Sequence, residues 1–122
     1  MQKDEIVKRL KAFFASREDV KLAYLFGSVA TGETHPSSDI DVAVMCKGEC
    51  DTIGLASKIG AITETEEVDV VDLAKLERMR MLRDIIKEGI VLKSSDDMAE
   101  WEVNRYHKAL DFIAHTKAVY GY

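Results

Sequence analysis

The 122-residue sequence is poor in proline, cysteine and basic excess: one proline, two cysteines, and 17 basic against 22 acidic residues. Each shortage excludes something. A net charge of −5 argues against sequence-independent binding to nucleic acid, where lysine and arginine must replace the phosphate counterions, so direct nucleic-acid binding is not expected. Two thiols, Cys46 and Cys50, cannot complete a four-ligand zinc site. Their spacing, Cys-Lys-Gly-Glu-Cys, is not the C-x-x-C of a redox pair, so two reduced cysteines are expected. No apolar run approaches the roughly 18 residues of a membrane span, and the start, Met1-Gln2-Lys3-Asp4-Glu5, has no signal-peptide core; a cytoplasmic protein without membrane contact is expected. What is present is 47% apolar residues, enough for a core, in a length that fits one domain over residues 1–122.

Periodicity orders the chain. Ile6, Val7, Leu10, Phe13 and Phe14 predict a helix over 3–15. Strands are predicted at 20–26, 40–46 and 68–73, with a short fourth at 90–93. Helices are expected near 52–62, over 74–88 with a stop at Gly89, and over 98–120. Between the first two strands, 27–38 holds two glycines, the proline and several hydroxyl residues, a turn-rich stretch. The fold class expected is mixed α/β (α+β): a small mixed sheet with helices on one face and an open cleft on the other.

The chemistry-bearing residues are Asp39, Asp41 and Asp69. Aspartate is disfavoured in strands, yet two stand at i and i+2 at the start of an apolar strand. Period two puts them on one face, with Ile40, Val42 and Val44 on the other. Asp69, between Val68 and Val70, repeats the pattern. Convergent carboxylates repel and take up protons or cations. Mg²⁺ prefers carboxylate and phosphate oxygens, and two such ions can stabilise both oxygens of an in-line displacement. Solvent-facing charge on a half-exposed sheet is the plain alternative for these aspartates. Asp72 falls on the valine face, where it can cap the next helix. Upstream, Gly27-Ser28 ends a strand and can open a helical turn. Glycine admits a close ligand, and free N–H groups with a serine hydroxyl suit phosphate oxygens. His35 reads as a surface-loop histidine; His107 and His115 are too far apart on a helix for a metal pair; Met79, Met81 and Leu82 read as core or interface filler.

Taken together, Gly27-Ser28-Val29-Ala30-Thr31-Gly32, Ser38-Asp39-Ile40-Asp41 and Val68-Asp69-Val70-Val71 resemble the G-S-x-A-x-G…S-D-x-D…D signature of the DNA polymerase β-type nucleotidyltransferase superfamily. The short length resembles its minimal nucleotidyltransferase (MNT) group, whose members are commonly encoded beside HEPN-domain ribonuclease toxins and act as their antitoxins. The resemblance covers roughly residues 5–115. It implies a palm-like fold, two Mg²⁺ ions (or Mn²⁺) and ATP as substrate. It implies that Asp39 and Asp41 bridge the metals and that Asp69 is the third catalytic carboxylate and metal ligand. Gly27 and Ser28 would contact the triphosphate, and Ser38 would help position the nucleotide. Many relatives carry arginine where Val29 or Thr31 stands here. The reaction implied is transfer of AMP to a hydroxyl, a tyrosine of a partner HEPN toxin. Two alternatives stand beside it: an antitoxin that neutralises by binding alone, and transfer to a small molecule, as in aminoglycoside nucleotidyltransferases. The apolar residues of the last helix (Met98, Trp101, Tyr106, Ala109, Phe112, Ile113, Val119) cover nearly half its circumference, so contact with another chain, and an oligomer, are expected.

Overall fold

A computed structural model describes residues 1–32 and 39–120. The elements run α1 (Lys3–Ala15), β1 (Val20–Phe26), α2 (Gly27–Thr31), β2 (Ile40–Cys46), α3 (Thr52–Thr63), β3 (Val68–Asp72), α4 (Met79–Glu88), β4 (Ile90–Lys93) and α5 (Ala99–Tyr120). Short 3₁₀ turns at Leu73–Lys75 and Asp96–Met98 precede α4 and α5. The sheet order is β3-β2-β1-β4. β1 is antiparallel to both β2 and β4, and β2 is parallel to β3, so the sheet is mixed, as expected.

Alternation along the strands divides the core in two. Ala23, Leu25, Ile40, Val42 and Val44 point to one face and meet Ile6, Leu10 and Phe14 of α1 and Leu55 and Ile59 of α3. These helical residues are spaced by four, so each helix buries one stripe. Asp51 caps α3 by accepting from Gly54 N–H at 3.0 Å. The opposite face carries Leu22, Tyr24 and Ala43, packed against Leu82 and Ile85 of α4 and Ala109 of α5. Burying Leu22, Leu25, Leu82 and Ile85 completely contributes about 1.5–3 kcal/mol each.

The mixed α/β class is as the sequence implied, but the layering needs correction: helices lie on both faces. The physical reason is in β1, where Leu22-Ala23-Tyr24-Leu25 is buried throughout rather than on alternate positions. A strand apolar on both sides must be covered on both sides. Tyr24, 1% exposed, keeps its hydroxyl satisfied by donating to the Glu102 carboxylate, which fastens α5 to the sheet. Burial and that carboxylate both push the Tyr24 pKa up.

Two local expectations are also corrected. The helix expected over 74–88 is broken. Asp72 accepts from Ala74 N–H at 3.0 Å and caps a single 3₁₀ turn; Leu76 then turns extended, its side chain buried and its carbonyl accepting from Arg105 Nη2 at 3.2 Å. Tertiary contact overrides helix propensity there. The cysteines are not reduced thiols: Cys46 and Cys50 form a disulfide, Cα–Cα 5.5 Å, closing the loop between β2 and α3. Among the described residues no helix is long and apolar enough to cross a membrane.

Candidate active site

The site forms at one end of the sheet because of register. Phe26 at the end of β1 lies opposite Asp41 of β2, and Asp41 lies opposite Asp69 of β3. The parallel pairing places the two aspartates side by side on the face that α4 and α5 cover further along the strands. Asp69 is exposed and Asp41 half-buried. Asp39 is exposed on the lead-in to β2. The structure thus brings Asp41 and Asp69 together in one register, with Asp39 two residues before. Ser38 and His35 lie outside the described residues. Asp72, on the opposite face, caps its own turn, as the alternation predicted.

Burial, then the Asp69 charge, then the Asp39 charge raise the pKa of Asp41 above the ordinary carboxylate value. The three groups therefore share a negative field, and a divalent cation placed among them would offset the cost of ionising Asp41. Among the described residues no three acidic, histidine or cysteine side chains are gathered closely enough to hold a metal ion as they stand. The donor set fits a hard cation by chemistry: oxygens only, half-exposed, open to substrate oxygens that could complete the coordination.

Gly27 follows directly from β1 with φ +77°, a left-handed conformation that suits glycine. A Cβ built there would overlap Asp41 Oδ2 and stand 3.2 Å from its Cγ. The glycine thus makes room for the carboxylate itself. From it the five-residue α2 turns away, stopped by Gly32 at φ +83°. Thr31 folds its hydroxyl back onto the Ser28 carbonyl at 3.2 Å. Val29 and Ala30 are buried and anchor the turn in the core, leaving Ser28 half-exposed.

A cleft of about 470 Å³ opens between this turn and α4, lined by Phe26, Gly27, Ser28, Thr31, Arg78 and Arg80 and, further along α4, by Asp84 and Glu88. The two arginines were not picked out in the sequence. They fall in a stretch read as continuous helix, and only the break before α4 and its packing across the sheet bring them beside Gly27-Ser28.

Known proteins resemble this chain in sequence and fold. The profile of the family described as Polymerase beta, Nucleotidyltransferase matches residues 8–98. A segment of 57 residues is 42% identical to the protein adenylyltransferase MntA of Shewanella oneidensis, spanning 44% of this chain and only 40% of that relative. The fold is similar to a toxin–antitoxin crystal structure with AMP-PNP, at TM-score 0.68 and 26% identity over 97% of this chain and 91% of the other. It is likewise similar to the structure of a tri-AMPylated Shewanella oneidensis HEPN toxin in complex with MNT antitoxin, at TM-score 0.63 and 26% identity, with the same 97% and 91% coverage. The profile match, over residues 8–98, spans well over half of the sequence: the chain belongs to the polymerase β nucleotidyltransferase family.

Proposed function

We propose that this chain is an adenylyltransferase that moves AMP from ATP onto a hydroxyl of a partner HEPN-domain toxin, a tyrosine by resemblance, and so acts as its antitoxin. The observation that carries the reading is the register that sets Asp41 beside Asp69 at the strand end where Gly27 admits the Asp41 carboxylate. Support comes from similarity to an AMP-PNP-bound toxin–antitoxin structure and to one whose toxin is AMPylated. In this reading the cytoplasm, where ATP and such a partner meet, is the working compartment.

Asp39, Asp41 and Asp69 would hold two Mg²⁺ ions, or Mn²⁺. Such ions supply charge neutralisation at the phosphates and stabilise attacking and leaving oxygens. The chain's own residues do the rest by placement. Asp69, exposed on the edge strand β3, is free to orient the incoming hydroxyl. Gly27 makes room for the Asp41 carboxylate, Ser28 offers a hydroxyl to phosphate oxygens, and Ser38 would help position the nucleotide. Catalysis is then orientation and preorganised charge rather than covalent chemistry. The acceptor would come from the partner. Exposed Val103, Leu110, Phe112 and Val119 on α5 suit contact with such a chain and, in that sense, an oligomer.

The test is to purify the chain with its partner and supply ATP labelled at the α-phosphate together with Mg²⁺. Label and an added AMP mass are expected on the partner, abolished by chelation and by the double change Asp39→Asn, Asp41→Asn. An unmodified partner refutes the transfer. The exposed α5 side chains also favour a second reading, neutralisation by binding alone. That reading gains if the double variant restrains the toxin as well as the unaltered chain does.

A further inference from the structure

On the nucleotide-transfer reading, the cleft beside the turn must meet more negative charge than its serine and threonine can balance. A nucleoside triphosphate brings three phosphoryl groups. The one transferred belongs at the carboxylates, and the other two need a cationic seat. Residues 27–32, Gly-Ser-Val-Ala-Thr-Gly, contain no cation. Across the cleft, Arg78 and Arg80 supply two, both on exposed residues. We propose, on the nucleotide-transfer reading above, that Arg78 and Arg80 hold the non-transferred phosphates of the triphosphate.

Their position at the start of α4 supports this. Arg78 stands at the N-cap with no side-chain cap bond, and the first turn holds no acidic residue. A cation at the positive end of a helix, as Arg78 is, opposes the macrodipole. An anion lying in the cleft against both guanidinium groups reverses that sign, and guanidinium is the group best matched to phosphate oxygens. Such a local conflict is expected where sequence serves a ligand rather than the element it sits in. The other charges are arranged consistently. Asp84 and Glu88 line the cleft one and two turns further along α4, where they repel an anion and confine the tail to the arginine end. Lys87, exposed on the same helix, does not line the cleft and serves as a control.

The experiment is calorimetric titration of the purified chain with AMP-PNP and, separately, with AMP, each with Mg²⁺. For the Arg78→Ala, Arg80→Ala double variant the affinity for AMP-PNP is expected to fall about 10–100-fold, from the loss of charge-assisted hydrogen bonds. Affinity for AMP should stay where it is, since AMP lacks the phosphates in question. The Arg78→Lys, Arg80→Lys pair should recover part of the loss, and Lys87→Ala should bind like the unaltered chain. Thermal unfolding of every variant checks the fold. Equal AMP-PNP affinity in the unaltered chain and the alanine variant overturns the assignment while the nucleotide reading stands. Equal loss of AMP and AMP-PNP overturns it too, because the arginines would then act on the nucleoside monophosphate or on the fold. An unaltered chain that binds no AMP-PNP overturns the nucleotide reading and this assignment with it.

Discussion

Gly27→Ala adds one methyl group at the point where the phosphate turn and the carboxylate pair meet. Two costs follow. The backbone stands at φ +77°, and holding an L-residue there costs about 1–2 kcal/mol. The added Cβ also overlaps Asp41 Oδ2, so the carboxylate or the turn must move. Gly32 separates the two effects. Its φ is +83°, yet nothing lies within 4 Å of a Cβ built on it. Gly32→Ala therefore carries the backbone cost alone. Gly32→Ala should unfold about 4–8 °C lower, from that cost spread over the unfolding entropy of a chain this size, and Gly27→Ala at least as much. Only Gly27→Ala should also lose function, because a displacement near 1 Å in a positioning group can cost roughly 100-fold in rate. The assay is ATP-dependent label transfer to the partner, run beside thermal unfolding. Equal transfer by the two variants would refute the claim that Gly27 is required for the sake of the Asp41 carboxylate.

Asp72→Ala should cost roughly 1 kcal/mol through loss of its cap and leave label transfer unchanged, while Asp69→Asn should do the reverse; a transfer defect confined to Asp72→Ala would overturn the face assignment. Removing the disulfide by Cys46→Ser with Cys50→Ser should lower stability by about 2 kcal/mol, read by denaturant unfolding, since the closed loop is short. Transfer should survive, because Cys46 ends the strand near whose start Asp41 lies, roughly 17 Å away along β2. Ile113→Ala should cost about 2–5 kcal/mol in thermal unfolding because Ile113 is 5% exposed, whereas Phe112→Glu, at a site 54% exposed, should leave stability within about 0.5 kcal/mol; a Phe112→Glu chain that unfolds would mean the ring is clamped within its own fold.

Most elements were legible because their signals are local. The four-residue spacing of Ile6, Leu10 and Phe14 fixes α1 and its buried face, and the valines of β2 and β3 fix one face of the sheet. What escaped was non-local. β1 reads as an apolar run, and a run does not say whether one layer or two will cover it until α4 and α5 are known to return over it. The break before α4 has no proline or glycine to announce it. It exists because Leu76 is drawn into the second core and its carbonyl is taken by Arg105, twenty-nine residues later in the chain. Nor does the wide apolar arc of the last helix separate in sequence into the buried pair Ala109 and Ile113 and the exposed Phe112 and Val119.

The same division runs through the site. Asp39, Asp41 and Asp69 stand out as candidates because a charge that breaks an apolar strand at fixed parity is an anomaly in one dimension, and the register of β2 against β3 sets Asp41 beside Asp69. Gly27 is half legible: the sequence marks it as a turn, but its reason, the Asp41 carboxylate occupying the space of a side chain, needs the β1–β2 pairing. Arg78 and Arg80 carry no anomaly of their own, since arginine is an ordinary residue on a solvated helix. They become unusual only once the chain breaks at Leu76, because the break turns mid-helix positions into a helix start, where cations are disfavoured. The strand aspartates are therefore written in strand periodicity, and the arginines that line the cleft in the placement of a helix start. A search for charged residues at element boundaries, made after the breaks are known, is what recovers the arginines.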